Sequence, residues 1–117
     1  MIKTDLSNVE LQPWGVVSDL GAEILEGDCN IFGAMTFGAP TEAVSSAYFG
    51  STRGKFKMTY PFNEHAVIVE GQVTIKNLST GEQNSYSVGD SWFVEKGTEC
   101  EWTVDTERFV KHYLAVA

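Results

Sequence analysis

Apolar and polar residues alternate along most of this chain, and glycine or proline interrupts the alternation at short intervals. A period of two is typical of strands with one buried face, and no stretch repeats its apolar residues every three to four positions. The pattern therefore predicts an antiparallel all-β domain built as a sandwich or a barrel. The predicted strands are 56–60, 66–69, 73–76, 84–88, 91–94, 101–104 and 109–116, with shorter ones near 15–20 and 29–36.

The breaks between these segments carry turn residues. Gly71, Gly81, Gly89 and Gly97 each supply the freedom to adopt a positive φ that a tight turn requires. Only residues 37–46 resemble a long loop. We therefore expect one domain, in which residues 1–45 form an N-terminal arm with the first strands and residues 46–117 form the barrel core.

The alternation also predicts which side chains face the interior, because residues two apart on a strand share a face. Along 56–60, the aromatic residues and the methionine share one parity, and the lysines share the other. In the last strand, the apolar residues share a face with one imidazole. The side chains expected inside are Phe56, Met58, Tyr60, Cys100, Trp102, Val104, Val110, His112, Leu114 and Val116, and those expected outside include Arg53, Lys55, Lys57, Glu99, Glu101, Phe109, Lys111 and Tyr113.

Charge and composition narrow the range of partners. Sixteen acidic residues against eight basic ones give a net charge of −8, which would repel a phosphate backbone. No stretch approaches the roughly 18 consecutive apolar residues of a membrane helix, and the N-terminus lacks the apolar run of a signal peptide. Cys29 and Cys100 lie far apart, which favours reduced thiols while leaving a disulfide open. We expect a cytoplasmic protein that binds neither nucleic acid nor membrane.

Two segments in the second half of the chain resemble the two motifs of the cupin superfamily. Residues 54–71, with Glu64 and Gly71, resemble the first motif, and residues 89–102, with Gly89-Asp90 and Lys96-Gly97, resemble the second. The chain is similar to the branch that includes ureidoglycine aminohydrolase and the ethanolamine-utilisation cupins. This resemblance implies a cupin (jelly-roll type) antiparallel β-barrel. It also implies a homodimer, since small cupins commonly pair through N-terminal arms and one sheet face.

The resemblance implies where a metal would lie, and there this sequence departs from the family. Metal-holding cupins usually use two His and a Glu from the first motif and a His from the second. Here Glu64 is kept, whereas Met58, Tyr60 and Cys100 stand at the histidine positions. One carboxylate and one thiolate are fewer ligands than a stable site needs. The candidates for a divalent metal are therefore weak: Glu64, Cys100 and His112, with Tyr60 or His65 to complete the set.

The remaining feature is a barrel mouth that combines apolar walls with a few polar groups, as small-molecule sites do. Burial beside aromatic rings would raise the pKa of Glu64, which could then act as a general acid or base. Two functions stay open: a small-molecule-binding cupin with a degenerate metal site, or a metal-assisted enzyme acting on a nitrogen-containing or carboxylate metabolite. The missing histidines favour the first and the retained Glu64 the second. The residues expected to bind the ligand are Phe56, Met58, Tyr60, Glu64, Cys100, Trp102 and His112.

Overall fold

Nine antiparallel strands, joined in a single sheet, make up most of the computed structural model, which describes residues 1–117. A short 3-10 turn at Val17–Leu20 follows the first strand, and no segment forms a helix long and apolar enough to cross a membrane. The prediction of an all-β jelly roll is confirmed. The strands are β1 (Gln12–Val16), β2 (Glu23–Gly27), β3 (Asn30–Phe37), β4 (Val44–Thr59), β5 (Asn63–Glu70), β6 (Val73–Asn77), β7 (Gln83–Tyr86), β8 (Ser91–Val94) and β9 (Glu99–Val116).

Several strand bounds differ from those that the alternation predicts. The two predicted strands 101–104 and 109–116 are one strand, β9, and β4 begins at Val44 rather than near residue 56. The loop predicted at 37–46 is therefore shorter, and β2 was not predicted at all. The reason is that β4 and β9 pair with each other along their whole lengths. Their backbone hydrogen bonds maintain the ladder where the alternation is interrupted.

The long β4–β9 pair divides the sheet into two parts. β3 and β5 flank it where Val44 pairs with Val116, whereas β2 and β6 flank it where Thr59 pairs with Glu99. A T-shaped contact between Trp92 of β8 and Trp102 of β9 joins the two parts across the interior. Both parts contribute to one core, whose buried members are Val17, Cys29, Ile31, Phe56, Tyr60, Ile68, Val73, Cys100, Trp102, Val104 and Phe109.

The ladder is irregular where the two parts meet, and this irregularity decides which side chains face inward. Thr52 pairs with Arg108 but Gly54 pairs with Val104, so β9 contains two more residues than β4 over the same interval. Inward-facing positions of β9 are even-numbered before this point and odd-numbered after it. Phe109 is fully buried beyond the irregularity, as Val104 is before it.

The predicted faces of the last strand are therefore wrong. Phe109, Lys111 and Tyr113 line the interior, whereas His112 and Leu114 lie on the outer face of the sheet, where Leu114 is 45% exposed. Uninterrupted alternation had placed them the other way round. Before the irregularity the prediction is confirmed, since Cys100, Trp102 and Val104 are buried and the lysines of β4 reach outward to glutamates of β9.

Candidate functional site

A buried ion pair occupies the interior beneath the mouth of the barrel. Glu64 lies near the start of β5, where it pairs with Val94 of β8 and Ala115 of β9. The Nζ atom of Lys111 on β9 donates to both carboxylate oxygens of Glu64, at 2.8 and 3.0 Å. The two side chains are only 7% and 1% exposed, so both charges are removed from water and balance each other.

Tyr60 and a set of aromatic rings complete the surroundings of this ion pair. The hydroxyl of Tyr60, which follows β4 directly, donates to Oε2 of Glu64 at 2.8 Å. Around the ammonium of Lys111, five ring centroids lie within 4.9 to 6.0 Å, close enough for attraction between a cation and the π-face of a ring. These rings, which we call the aromatic cage, belong to Phe49, Tyr60, Trp92, Trp102 and Tyr113.

The structure brings most of the sequence-predicted site residues together but separates one of them. Phe56, Cys100 and Trp102 are buried with Glu64 in the interior, and Phe56 stacks on Trp102 at 5.8 Å. Met58 is partly buried and packs against the same core. His112 instead lies on the outer face, where it stacks on Tyr48 and its Nε2 is 3.2 Å from the Thr36 hydroxyl. The prediction that His112 points into the barrel is therefore wrong, because the inward parity of β9 changes before this residue.

Burial keeps the other ionisable side chains of the interior neutral. Desolvation, together with the nearby charge of Glu64, raises the pKa of the Cys100 thiol to about 11 and that of Tyr113 to about 12. The same two causes hold the pKa of Tyr60 well above its usual value. Cys100 is therefore a thiol at neutral pH and lacks the thiolate character of a nucleophile. Glu64 and Lys111 are the only charged groups in the interior.

Beside this interior lies a cleft of about 130 Å³, open at the mouth. Of the residues expected to bind a ligand, only Tyr60 and Cys100 reach it. Glu64 and Lys111 do not line the cleft, and Tyr60 is the cleft residue that contacts Glu64. The indole N–H of Trp92, whose ring also lines the cleft, is buried close to the Tyr60 hydroxyl and makes no hydrogen bond of good geometry. The full lining is Tyr60, Ile75, Asn77, Glu82, Asn84, Tyr86, Trp92, Phe93, Val94, Thr98 and Cys100.

The donor set in the barrel does not fit a divalent metal. A thioether, a phenol and a neutral thiol, from Met58, Tyr60 and Cys100, replace the imidazoles of the metal-holding cupins. The remaining ligand, Glu64, already binds a cation through both oxygens. Nowhere in the chain do three or more His, Cys, Asp or Glu side chains come together as a metal-binding group. Hard divalent metals prefer several oxygen ligands, and first-row transition metals are usually held by several imidazoles or carboxylates, neither of which this interior supplies.

Comparison with known proteins agrees with this fold. The chain belongs to the family of EutQ-like cupin domains, whose sequence model matches residues 38–113. It is similar to the EutQ protein of Clostridium difficile, with a TM-score of 0.70 and 16% identity, covering 97% of this chain and 85% of that one. The cupin resemblance inferred from the two motifs is thereby confirmed.

Two further solved structures are similar. A protein of unknown function from Pseudomonas syringae, of the DUF861 family, gives a TM-score of 0.78 at 19% identity over 93% of this chain and 45% of that one. A DUF861 family protein from Thermotoga maritima is 30% identical over 56% of this chain and 73% of its own, with a TM-score of 0.52. None of the curated proteins matches the sequence.

Sequence reasoning missed Lys111, Trp92, Tyr86 and the two asparagines of the cleft. Lys111 was assigned to the outside by its parity. The signal that could have corrected this is the polar run 105–108, which interrupts the apolar alternation between Val104 and Phe109. A break of that kind between two apolar segments indicates a bulge, after which the parity has to be counted again.

Proposed function

We propose that this chain is a cupin that binds a small organic molecule in the cleft at the barrel mouth, without a metal. The observation that carries the proposal is the lining of that cleft, which combines aromatic surface with side-chain amides. Tyr86 and Trp92 offer aromatic surface, and Asn77 and Asn84 offer amides that can orient a polar ligand.

The size of the cleft limits the ligand class. About 130 Å³ is well below the roughly 300–1,000 Å³ of clefts that enclose drug-sized molecules. The part of the ligand that the cleft encloses is therefore compact, and a more open depression of about 520 Å³, which shares Asn77, Val94 and Thr98 with the cleft, adjoins it. Because Glu82 lies at the rim and the interior carries no net charge, a neutral or amine-bearing molecule with one acceptor fits better than a polyanion.

A thermal-shift screen of compact metabolites, run on the wild type and three variants, tests the proposal. A ligand that binds only the folded state raises the midpoint of unfolding. Asn84→Ala should reduce that shift, whereas Gln72→Ala, an exposed residue outside the cleft, should leave it unchanged. A ligand whose shift is equal in both variants and in Trp92→Phe would bind elsewhere and contradict the proposal.

The alternative function, a metal-assisted enzyme similar to ureidoglycine aminohydrolase, receives no support from the side chains around Glu64. The carboxylate is bound by Lys111 and Tyr60, and Cys100 is protonated at neutral pH. Glu64 also does not reach the cleft, so it cannot contact a ligand there as a general acid or base. We therefore favour binding over catalysis.

We further propose that the protein is a homodimer and that the outer face of the sheet forms its interface. Registered pairs place Leu114, His65 and Phe93 in one row of that face, and Val44 and Val116 in the next. The four apolar residues among them are 40–65% exposed, which is more apolar surface in one place than a monomer usually leaves to water. A two-fold axis through this face would cover it with its own copy.

Sedimentation of two matched variants tests the dimer. Leu114→Asp introduces a charge in the middle of the proposed interface and should yield a monomer at micromolar concentration. Val88→Asp makes the same chemical change at an apolar residue that is 67% exposed in the turn before β8, outside that face, and should leave the dimer intact. A wild-type monomer, or equal behaviour of both variants, would contradict the assignment.

Both cysteines are buried and unpaired, which supports a reducing compartment such as the cytoplasm.

A further inference from the structure

We infer that the ammonium of Lys111 is a built-in cation that takes the place of the divalent metal in this barrel. In the metal-holding relatives that the motifs resemble, the glutamate of the first motif would bind a metal. In this chain the same carboxylate, that of Glu64, binds an ammonium supplied by β9. The cation is thus part of the covalent chain and needs no metal from solution.

The geometry around Lys111 is that of a site built for a cation. The ammonium contacts both carboxylate oxygens of Glu64 and lies over Trp102 at 4.9 Å and over Phe49 and Tyr113 at 5.3 Å. Rings arranged around an ammonium in this way attract it through their negative faces. The hydroxyl of Tyr60 satisfies the carboxylate from another side. Each charge is therefore balanced where water is excluded.

This arrangement also excludes a metal. A divalent ion that approached Glu64 would have to displace an ammonium from both oxygens and then remain beside that positive charge. The neighbouring Met58, Tyr60 and Cys100 offer no imidazole or carboxylate to compensate. The resident lysine therefore competes directly with a metal for the only carboxylate in the barrel.

The first experiment measures whether the wild type responds to metal. The protein is treated with EDTA, its metal content is determined by mass spectrometry, and its unfolding midpoint is recorded with and without Mn²⁺, Ni²⁺ and Zn²⁺. We expect no bound metal and an unchanged midpoint. One equivalent of metal that raises the midpoint by roughly 10 °C, as an ion at 100 times its Kd would, and that is lost in Glu64→Gln, overturns the inference.

The second experiment is a double-mutant cycle on Lys111→Met and Glu64→Gln. Each single change leaves one buried group without its partner, so each should lower the midpoint by roughly 10 °C or more or prevent folding. The double variant replaces both charges by neutral groups of similar size and should recover most of that loss. A Lys111→Met variant as stable as the wild type overturns the inference, and if no variant folds, the metal response of the wild type decides it.

The matched control for this cycle is the pair Lys57 and Glu99, which joins β4 to the beginning of β9 on the outer surface. Lys57→Met, Glu99→Gln and their double variant should change the midpoint by a few degrees at most. The inference also holds whether or not the cleft binds a metabolite, because the metal response and the ligand response are measured separately. A metabolite-induced shift in a protein that ignores metal would support both conclusions.

Discussion

Strand β9 carries two kinds of ion pair, one at each end. At its beginning, Glu99 bonds to Lys57 of β4 at 3.0 Å with both side chains more than 40% exposed. Further along, Lys111 bonds to Glu64 of β5 at 2.8 Å with both side chains almost fully buried. The shortest distances are nearly equal, so the main differences are the burial of the second pair and the second oxygen that Lys111 contacts. In water the first pair contributes little, whereas removing one member of the second leaves a charge without compensation.

The irregularity in β9 determines which of its charged residues lie inside the barrel. Before it, the acidic residues Glu99 and Glu101 face outward, as regular alternation requires. After it, the inward face includes Lys111, which would otherwise join the surface cations. The change from even-numbered to odd-numbered inward positions between Val104 and Phe109 thus places a charge in the interior.

The largest effect should come from Lys111→Met, the variant that abolishes the buried pair. Glu64 would then be a charged group without a counter-ion, and we expect a loss of about 3–5 kcal/mol in the free energy of unfolding. Urea denaturation at pH 7 measures it. A loss below about 1 kcal/mol would show that the buried pair contributes no more to stability than the exposed pair does.

The next largest effect should come from Gly71→Ala, which probes the irregularity itself. Gly71 has a φ of +78°, and a Cβ there would lie 2.2 Å from the carbonyl oxygen of Arg108 and 2.9 Å from Cα of Phe109. Overlap with the backbone of β9, added to the cost of the left-handed conformation, should destabilise the fold by about 2–4 kcal/mol.

Gly81→Ala is the control for this change. It has a similar φ of +80° but no heavy atom within 4 Å of the added Cβ. Only the conformational cost remains there, about 1 kcal/mol. Equal losses in the two variants, measured by denaturation in urea, would show that the packing of Gly71 against β9 does not matter.

A smaller effect concerns His112, which neighbours Lys111 in sequence but lies on the opposite face. Burial lowers the pKa of His112 below 6.5, so the unfolded chain binds a proton more readily than the folded one. The stability that depends on neutral His112 is present above pH 6.5 and is lost as the pH falls through the lowered value. The wild type should lose more stability between pH 7.5 and pH 5 than His112→Gln does. Identical slopes in urea titrations would contradict this.

The smallest effect should come from Lys57→Met at the exposed pair. We expect a change of about 0.2–1 kcal/mol in the free energy of unfolding, declining as salt is added. The measurement is urea denaturation at low and high ionic strength. A loss comparable with that of Lys111→Met would remove the distinction between the two ends of β9.

Much of the fold and part of the site could be predicted from the sequence. The alternation and the two glycine-bounded motifs led to the cupin jelly roll and to the inward positions of Tyr60, Glu64, Cys100 and Trp102. They did not lead to Lys111, because a period-two pattern identifies a face only until the first bulge. The partner of Glu64 is 47 positions away in sequence and depends on a strand register that no local pattern specifies.

Nuclear magnetic resonance of the ¹⁵N-labelled lysine side chains tests whether a lysine supplies the cation of this barrel. Ammonium protons of exposed lysines exchange rapidly with water at pH 7, whereas those of a buried, hydrogen-bonded ammonium are protected. We predict one protected ammonium signal that is absent in Lys111→Met and unaffected by EDTA or added Zn²⁺. A Lys111 signal that exchanges as fast as the other lysines, or that is displaced by metal, would contradict the account.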